Sequence, residues 1–238
     1  MKTVYYGPII NHPFILGWEP LEPLIKNLKN FHTQKTDMIL GCPSYAAITS
    51  NSYAVKAPCD LSIEIKKGEE GIWPHVYLAG GIHEDNGINI GAPTFNDLGA
   101  SKPELLENVC QFLQDSFLLM FSDAPLELEI TPPFLHHGKL FGVAGSFDIG
   151  QWFRPLSFST FCFEDTVIKK GEPIAYIKFK EKIDLKEVRW PIDCQQYSSA
   201  SLNYKFLVQK QSLSKMYQRF KISKLRKSIL EMAEHARV

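Results

Sequence analysis

The chain has 238 residues, 45% hydrophobic and 22% charged, and its 26 Lys plus Arg balance 26 Asp plus Glu for a formal net charge of +0. That balance removes the global basic field on which nucleic-acid or anionic-membrane binding relies. The longest apolar run, Phe117 to Phe121, falls far short of a bilayer span.

The length suits one large domain, and an aromatic content of 12%, with 16 Phe, favours sheets. The opening MKTVYYGPIINHPF lacks the charged and apolar regions of a secretory leader, so a soluble, cytoplasmic protein is expected. The five cysteines, at 42, 59, 110, 162 and 194, form no C-x-x-C pair. Reduced, mostly buried thiols are therefore expected rather than a zinc site.

In chain order, residues 1 to 20 are Pro-punctuated and apolar and predict an edge strand with a loop. A short helix follows within 19 to 31, with Leu24, Ile25 and Leu28 on one face. From 37 to 67 the signal is β, and Leu61, Ile63 and Ile65 alternate with Ser62, Glu64 and Lys66 as in a half-buried strand. Residues 68 to 100 are rich in Gly, Asn and Asp and predict loops with one or two short strands.

Ser101, Pro103 and Glu104 have the spacing of a capped helix start, and Leu105, Leu106, Val109, Phe112, Leu113 and Phe117 recur at helical spacing. A helix over about 102 to 117 is expected, leading into the alternating strand LELEI at 126 to 130. Residues 139 to 179 read as β throughout. The end, 211 to 236, reads as a basic amphipathic helix. The expected organisation is a single mainly β domain over 1–210, with a loop-and-helix insertion at about 68–120 and an amphipathic helix over 211–238.

Four groups of residues bear on function. Asp148, between Gly145 and Gly150, suits a desolvated catalytic carboxylate or a turn residue bonding its own backbone. His83 and Asp85 have the H-x-D spacing of a two-His-one-carboxylate iron site, with His136 or His137 as the distal ligand and Arg154 set to pair with a 2-oxoglutarate carboxylate. A solvated Gly- and Asn-rich loop explains the same triplet. Trp152 and Arg154 offer a stacking grip on a planar ligand, against simple packing or a subunit contact. The basic C-terminal helix suits RNA, an acidic partner or a membrane surface, or docking on the β core or a neighbouring subunit through its apolar stripe.

Two stretches together resemble the dUTPase and dCTP deaminase superfamily. Gly145, Phe147 and Asp148 stand where that family has a glycine, an apolar residue and an aspartate on a hairpin. KKGEPIAYIKF stands at the family's following strand, with Tyr176 in place of the usual Gln, and Pro58, Asp60 and Leu61 match its Pro-x-Asp-Leu turn. The layout also resembles phage-encoded proteins of no established chemistry.

The resemblance implies a distorted barrel or jelly-roll-like fold, a homotrimer, and a site built on Asp148 and Asp60. The family's Arg-Ser-Ser or Arg-Ser-Gly phosphate motif is missing from 66 to 144, and its Gly-rich C-terminal arm is replaced by a helix. A triphosphate needs several cationic or N–H donors, so these gaps imply an eroded nucleotide site.

The expected function is a phage-encoded binding or assembly protein, homo-oligomeric and open to a small-molecule ligand. Its expected location is the cytoplasm, an infected cell or a virion. The alternatives are a nucleotide hydrolase using Asp148 and Asp60 with Mg²⁺ on the phosphates, or an Fe(II) and 2-oxoglutarate oxygenase using His83, Asp85 and His136 or His137.

Overall fold

The computed structural model describes residues 1–10, 17–31, 42–68, 71–78, 109–112, 118–136, 140–142, 145–151, 153–156, 158–162, 164–196 and 225–238. These residues are mainly strands. In chain order they are β1 (Lys2–Gly7), β2 (Glu22–Pro23), α1 (Leu24–Phe31), α2 (Pro43–Thr49), β3 (Ser52–Lys56), β4 (Leu61–Gly68) and β5 (Gly71–Leu78). Next come β6 (Val109–Phe112), β7 (Leu119–Ser122), β8 (Glu127–Thr131), β9 (Leu140–Gly142), β10 (Gly145–Asp148), β11 (Arg154–Pro155) and β12 (Phe158–Cys162). The last are β13 (Thr166–Ile168), β14 (Pro173–Phe179), β15 (Ile183–Glu187), a 3₁₀ turn at Ile192–Gln196 and α3 (Leu225–His235).

The strands form a four-stranded sheet β11-β7-β1-β15, a five-stranded sheet β10-β8-β14-β3-β2, and two three-stranded sheets, β6-β12-β9 and β13-β4-β5. Among the described strands each sheet has two free ends, and none closes into a barrel.

Alternating side chains stack the two larger sheets. Val4 and Tyr6 of β1 and Met120 of β7 point to one side, where they meet Leu128 and Ile130 of β8 and Ile177 and Phe179 of β14 in the largest core. The residues between them face outward. Tyr5, Leu119 and Phe121 pack with Val188, Trp190 and the Ile229 and Ala233 face of α3. On the outer side of the five-stranded sheet, Ala54 and Tyr176 pack with Leu24 and Leu28 of α1 and Tyr45 of α2. The order of layers is α3, four-stranded sheet, five-stranded sheet, then α1 with α2. A register shift between Pro173 and Ala175 lets both Ile174 and Ala175 reach the inner core.

Three expectations are corrected. Val109–Phe112, expected within a helix, is a strand antiparallel to β12, with Cys110 opposite Thr160. The apolar residues from Leu105 to Phe117 fit a helical period, but across the four residues Val109–Phe112 the Val, Cys and Phe types suit a sheet once a partner strand is present. The remainder of 102–117 lies outside the described residues. Pro43–Thr49 is helical rather than β, because Pro43 occupies the first turn, where its missing N–H costs nothing, behind an extended Cys42. Tyr45 and Thr49, one turn apart, form its buried face. Finally, β1 is interior rather than an edge: it pairs antiparallel with β7 and parallel with β15, and Pro8 lies just beyond it.

The expected C-terminal helix is present over Leu225–His235, while 211–224 lie outside the described residues. It is fastened at several points. Arg226 donates to the carbonyls of Gly150, Ser122 and Asp123, and its guanidinium lies 5.4 Å from the Phe121 ring. Tyr5 donates its hydroxyl to Glu234, and Arg189 N–H bonds the Ala236 carbonyl at 2.9 Å. Among the described residues no helix is long and apolar enough to cross a membrane.

A charged knot ties residues 19–22 to β3. Lys56 lies 3.0 Å from Glu19 and 3.1 Å from Glu22, and Asn27 donates to Glu22 at 2.8 Å. Burial pushes the Glu22 carboxyl up, but the hydrogen bonds from Asn27 and Lys56 and the charges of Lys56 and Lys26 outweigh it and hold the group below the usual carboxylate range. A carboxyl depressed on folding contributes stability that is fully present above its unfolded pKa, near 4.3, and is lost as pH falls through the folded value. Urea midpoints measured between about pH 5 and pH 3 will therefore fall more steeply for the native chain than for Glu22→Gln. Equal slopes would remove Glu22 from the acid response.

Candidate functional site

Asp148 closes the β8–β10 pair, opposite Glu127. One carboxylate oxygen, Oδ1, accepts the backbone N–H of Gly150 at 2.8 Å and that of Leu126 at 3.0 Å. The other, Oδ2, accepts Gln151 Nε2 at 2.6 Å. This is the bonding of an aspartate that shapes a turn and also staples it to the preceding strand connection. Gly150 is required there, since a Cβ would stand 2.1 Å from the Ala124 carbonyl oxygen.

Asp60 does similar work elsewhere. It accepts the backbone N–H of Lys170 at 2.8 Å and pairs with Lys169 Nζ at 3.1 Å, and these two bonds hold its carboxyl below the ordinary range. Asp60 therefore braces the turn between β13 and β14. The two aspartates lie at opposite ends of β14: Asp60 by its start, and Asp148 beside the Glu127 that follows the far end, where Phe179 faces Leu128. Seven residues of strand separate those ends by roughly 20 Å. The structure does not bring Asp60 and Asp148 into one site.

Of the residues expected to hold iron, His83, Asp85 and His137 lie outside the described residues, as does Trp152. His136 is described. Its Nδ1 lies 2.5 Å from the Tyr176 hydroxyl, which also accepts the Leu135 N–H at 3.1 Å, and the two rings meet edge-on at 5.7 Å. Burial pushes the Tyr176 phenol far above its ordinary range. Arg154 sits in β11, with its backbone opposite Met120 of β7. Among the described residues no three His, Cys, Asp or Glu side chains come together as a metal site.

The described thiols are free and varied. Burial pushes Cys59 up to about 11 and Cys194 up to about 12, which makes both poor nucleophiles. Cys42 is exposed, and the N–H groups of Tyr45 and Ser44 lower its pKa.

One concave site was not among the sequence expectations. The outer face of the five-stranded sheet carries Glu129 and Thr131 on β8, Tyr176 and Lys178 on β14, and Ser52 and Ala54 on β3. Helices α1 and α2 cover the Ala54 and Tyr176 part of that face. Beside them remains a pocket of about 140 Å³ lined by Leu24, Ile48, Ser52, Glu129, Thr131, Phe134, Tyr176 and Lys178. Leu24 and Tyr176 are buried at its base, whereas Ile48 and Phe134 stand exposed at its rim. A shallower groove of about 330 Å³, lined in part by Pro23, Thr49 and Tyr53, adjoins it through Ser52. The alternation in LELEI and AYIKF places Glu129 and Lys178 on one face, but only the β8–β14 register makes them neighbours.

No protein-family model, curated protein or solved structure matches this chain.

Proposed function

We propose that this chain is a binding protein built on a distorted, dUTPase-like jelly roll, with a nucleotide site that has eroded, rather than a nucleotide hydrolase. The observation that carries this reading is the bonding of its two motif aspartates. Asp148 and Asp60 both spend their carboxylates on turns of their own chain, at opposite ends of β14. Carboxylates that orient water on a phosphate, or hold its metal, must converge on one shared ligand, which two groups at opposite ends of a strand do not do. The missing arginine motif supports the same reading. On this fold the chain assembles as a homotrimer.

Asp148→Ala separates the two roles. As a turn staple, Asp148 satisfies two backbone N–H groups, so its loss lowers stability by about 2–4 kcal/mol in urea titrations. Asp148→Asn keeps an acceptor and most of that stability. The native chain, heated with deoxynucleotides and Mg²⁺, keeps its melting temperature, whereas a ligand at 100 times its Kd would add about 2.7 kcal/mol. A nucleotide-dependent shift that is lost in a stably folded Asp148→Asn would return that residue to a catalytic role.

A further inference from the structure

We infer that the pocket between α1, α2 and the outer face of β8 and β14 binds a small primary alkylamine, with Glu129 pairing its ammonium and the apolar base holding its carbon stem. This rests on reading the chain as a binding protein and gives that reading a site and a ligand class.

The argument begins with two rungs of one ladder. At the end of β14, Lys180 pairs with Glu127 at 2.7 Å, as opposite charges on facing strands do. Glu129 and Lys178 face each other in the next same-face rung. Their charges are not joined. Lys178 Nζ instead donates to the Ala47 carbonyl at 2.9 Å, in the last turns of α2, where carbonyls lack intrahelical donors. The Glu129 carboxylate is left exposed, with no hydrogen bond or ion pair to a described residue. The helix carbonyl draws the Lys178 ammonium away from Glu129 without neutralising it, and the unpaired Glu129 carboxylate stands with Lys178 in the lining of the cavity.

The rest of the lining selects what that anion meets. Leu24 and Tyr176 are 1% and 2% exposed and form an apolar base. Phe134 packs edge-on against Tyr176 at 5.5 Å, yet remains 47% exposed, and Ile48 remains 39% exposed. Large apolar side chains left at the rim of a concavity mark a place where a ligand removes them from water. Aromatic rings beside a carboxylate favour a cation over an anion. A volume of about 140 Å³ corresponds to roughly five waters, room for a stem of about four or five carbons and too small for a nucleotide.

The test is titration of pentylamine into the full chain at neutral pH, followed by amide NMR shifts, beside pentanol, pentanoate and an Nα-acetyl-lysine amide. Pentylamine is expected to bind at least tenfold more tightly than pentanol or pentanoate and to move the resonances of Thr131, Phe134 and Tyr176. Glu129→Gln, an exposed change that leaves the core intact, is expected to weaken pentylamine at least tenfold and leave pentanol unchanged. Phe134→Ala weakens both.

Equal binding of the alcohol, an unchanged Kd in Glu129→Gln, or no binding of pentylamine overturns the proposal. A lysine amide that binds tenfold tighter than pentylamine also overturns it, in favour of a lysine on a protein partner. Nucleotide turnover alongside pentylamine binding would sink the non-hydrolytic reading and leave this site standing.

Discussion

Trp190→Ala is expected to lower stability by about 3–5 kcal/mol, the range for removing a large aromatic from a packed core. Trp190 is fully buried. It packs edge-on against Phe153 at 5.0 Å, and Phe153 in turn meets Phe121 at 5.7 Å. Its indole N–H donates to the Leu119 carbonyl at 3.3 Å, and its backbone is bonded on both sides, to Pro8 and Ile10. The loss therefore combines transfer, cavity and hydrogen-bond costs at the junction of β1, β7 and α3. Urea unfolding followed by circular dichroism measures it, and a change below about 1 kcal/mol would contradict the packing of α3 over this face. Trp190→Phe should retain most of the stability, because the ring volume is largely kept while the N–H bond is lost.

The second large effect is steric and involves only backbone. Gly7 ends β1 at φ +157°, and a Cβ there would lie 1.9 Å from the Val188 carbonyl oxygen. The next nearest obstacles are also main-chain atoms of Val188, so no side chain can turn aside. Gly7→Ala must push the 188 segment away from β1 and break the 2.9 Å bond from Val188 N–H to the Tyr6 carbonyl. The expected cost is at least about 3 kcal/mol, at or above the usual range for overpacking. Gly145→Ala is the matching control. Nothing lies within 4 Å of its Cβ position, so it should be neutral or slightly stabilising. Comparable melting temperatures for the two variants would overturn the assignment of β1 to the sheet interior.

What the sequence made legible was local. Period-two alternation located β4 and β8, and an apolar stripe located α1 and the C-terminal helix. Pro43 misled because proline both breaks strands and starts helices, and only the following Ser-Tyr-Ala-Ala run decides between them. Val109–Phe112 misled because its strand character depends on β12, nearly fifty residues downstream. The two aspartates were placed by motif, but their bonding depends on which amides reach them: Leu126 and Gly150 for one, Lys170 for the other. The amine pocket was illegible for the same reason. Its chemistry follows from Lys178 bonding Ala47 instead of Glu129, a choice between two distant partners that no periodicity records.

The pairing of β1 with β15 constrains how the chain acquires its structure on the ribosome. Lys2 and its salt-bridge partner Glu181 are 179 residues apart in sequence, and the segment just after β15 also binds the last residues through Val188 and Arg237. During synthesis β1, with Val4, Tyr5 and Tyr6, must wait for a neighbour on its parallel side until β15 has emerged. Parallel, long-range pairing of this kind is slow and leaves an apolar strand open to other nascent chains. The layer that buries Trp190 includes α3, so a helix made well after β1 acts as a latch on the sheet that contains β1.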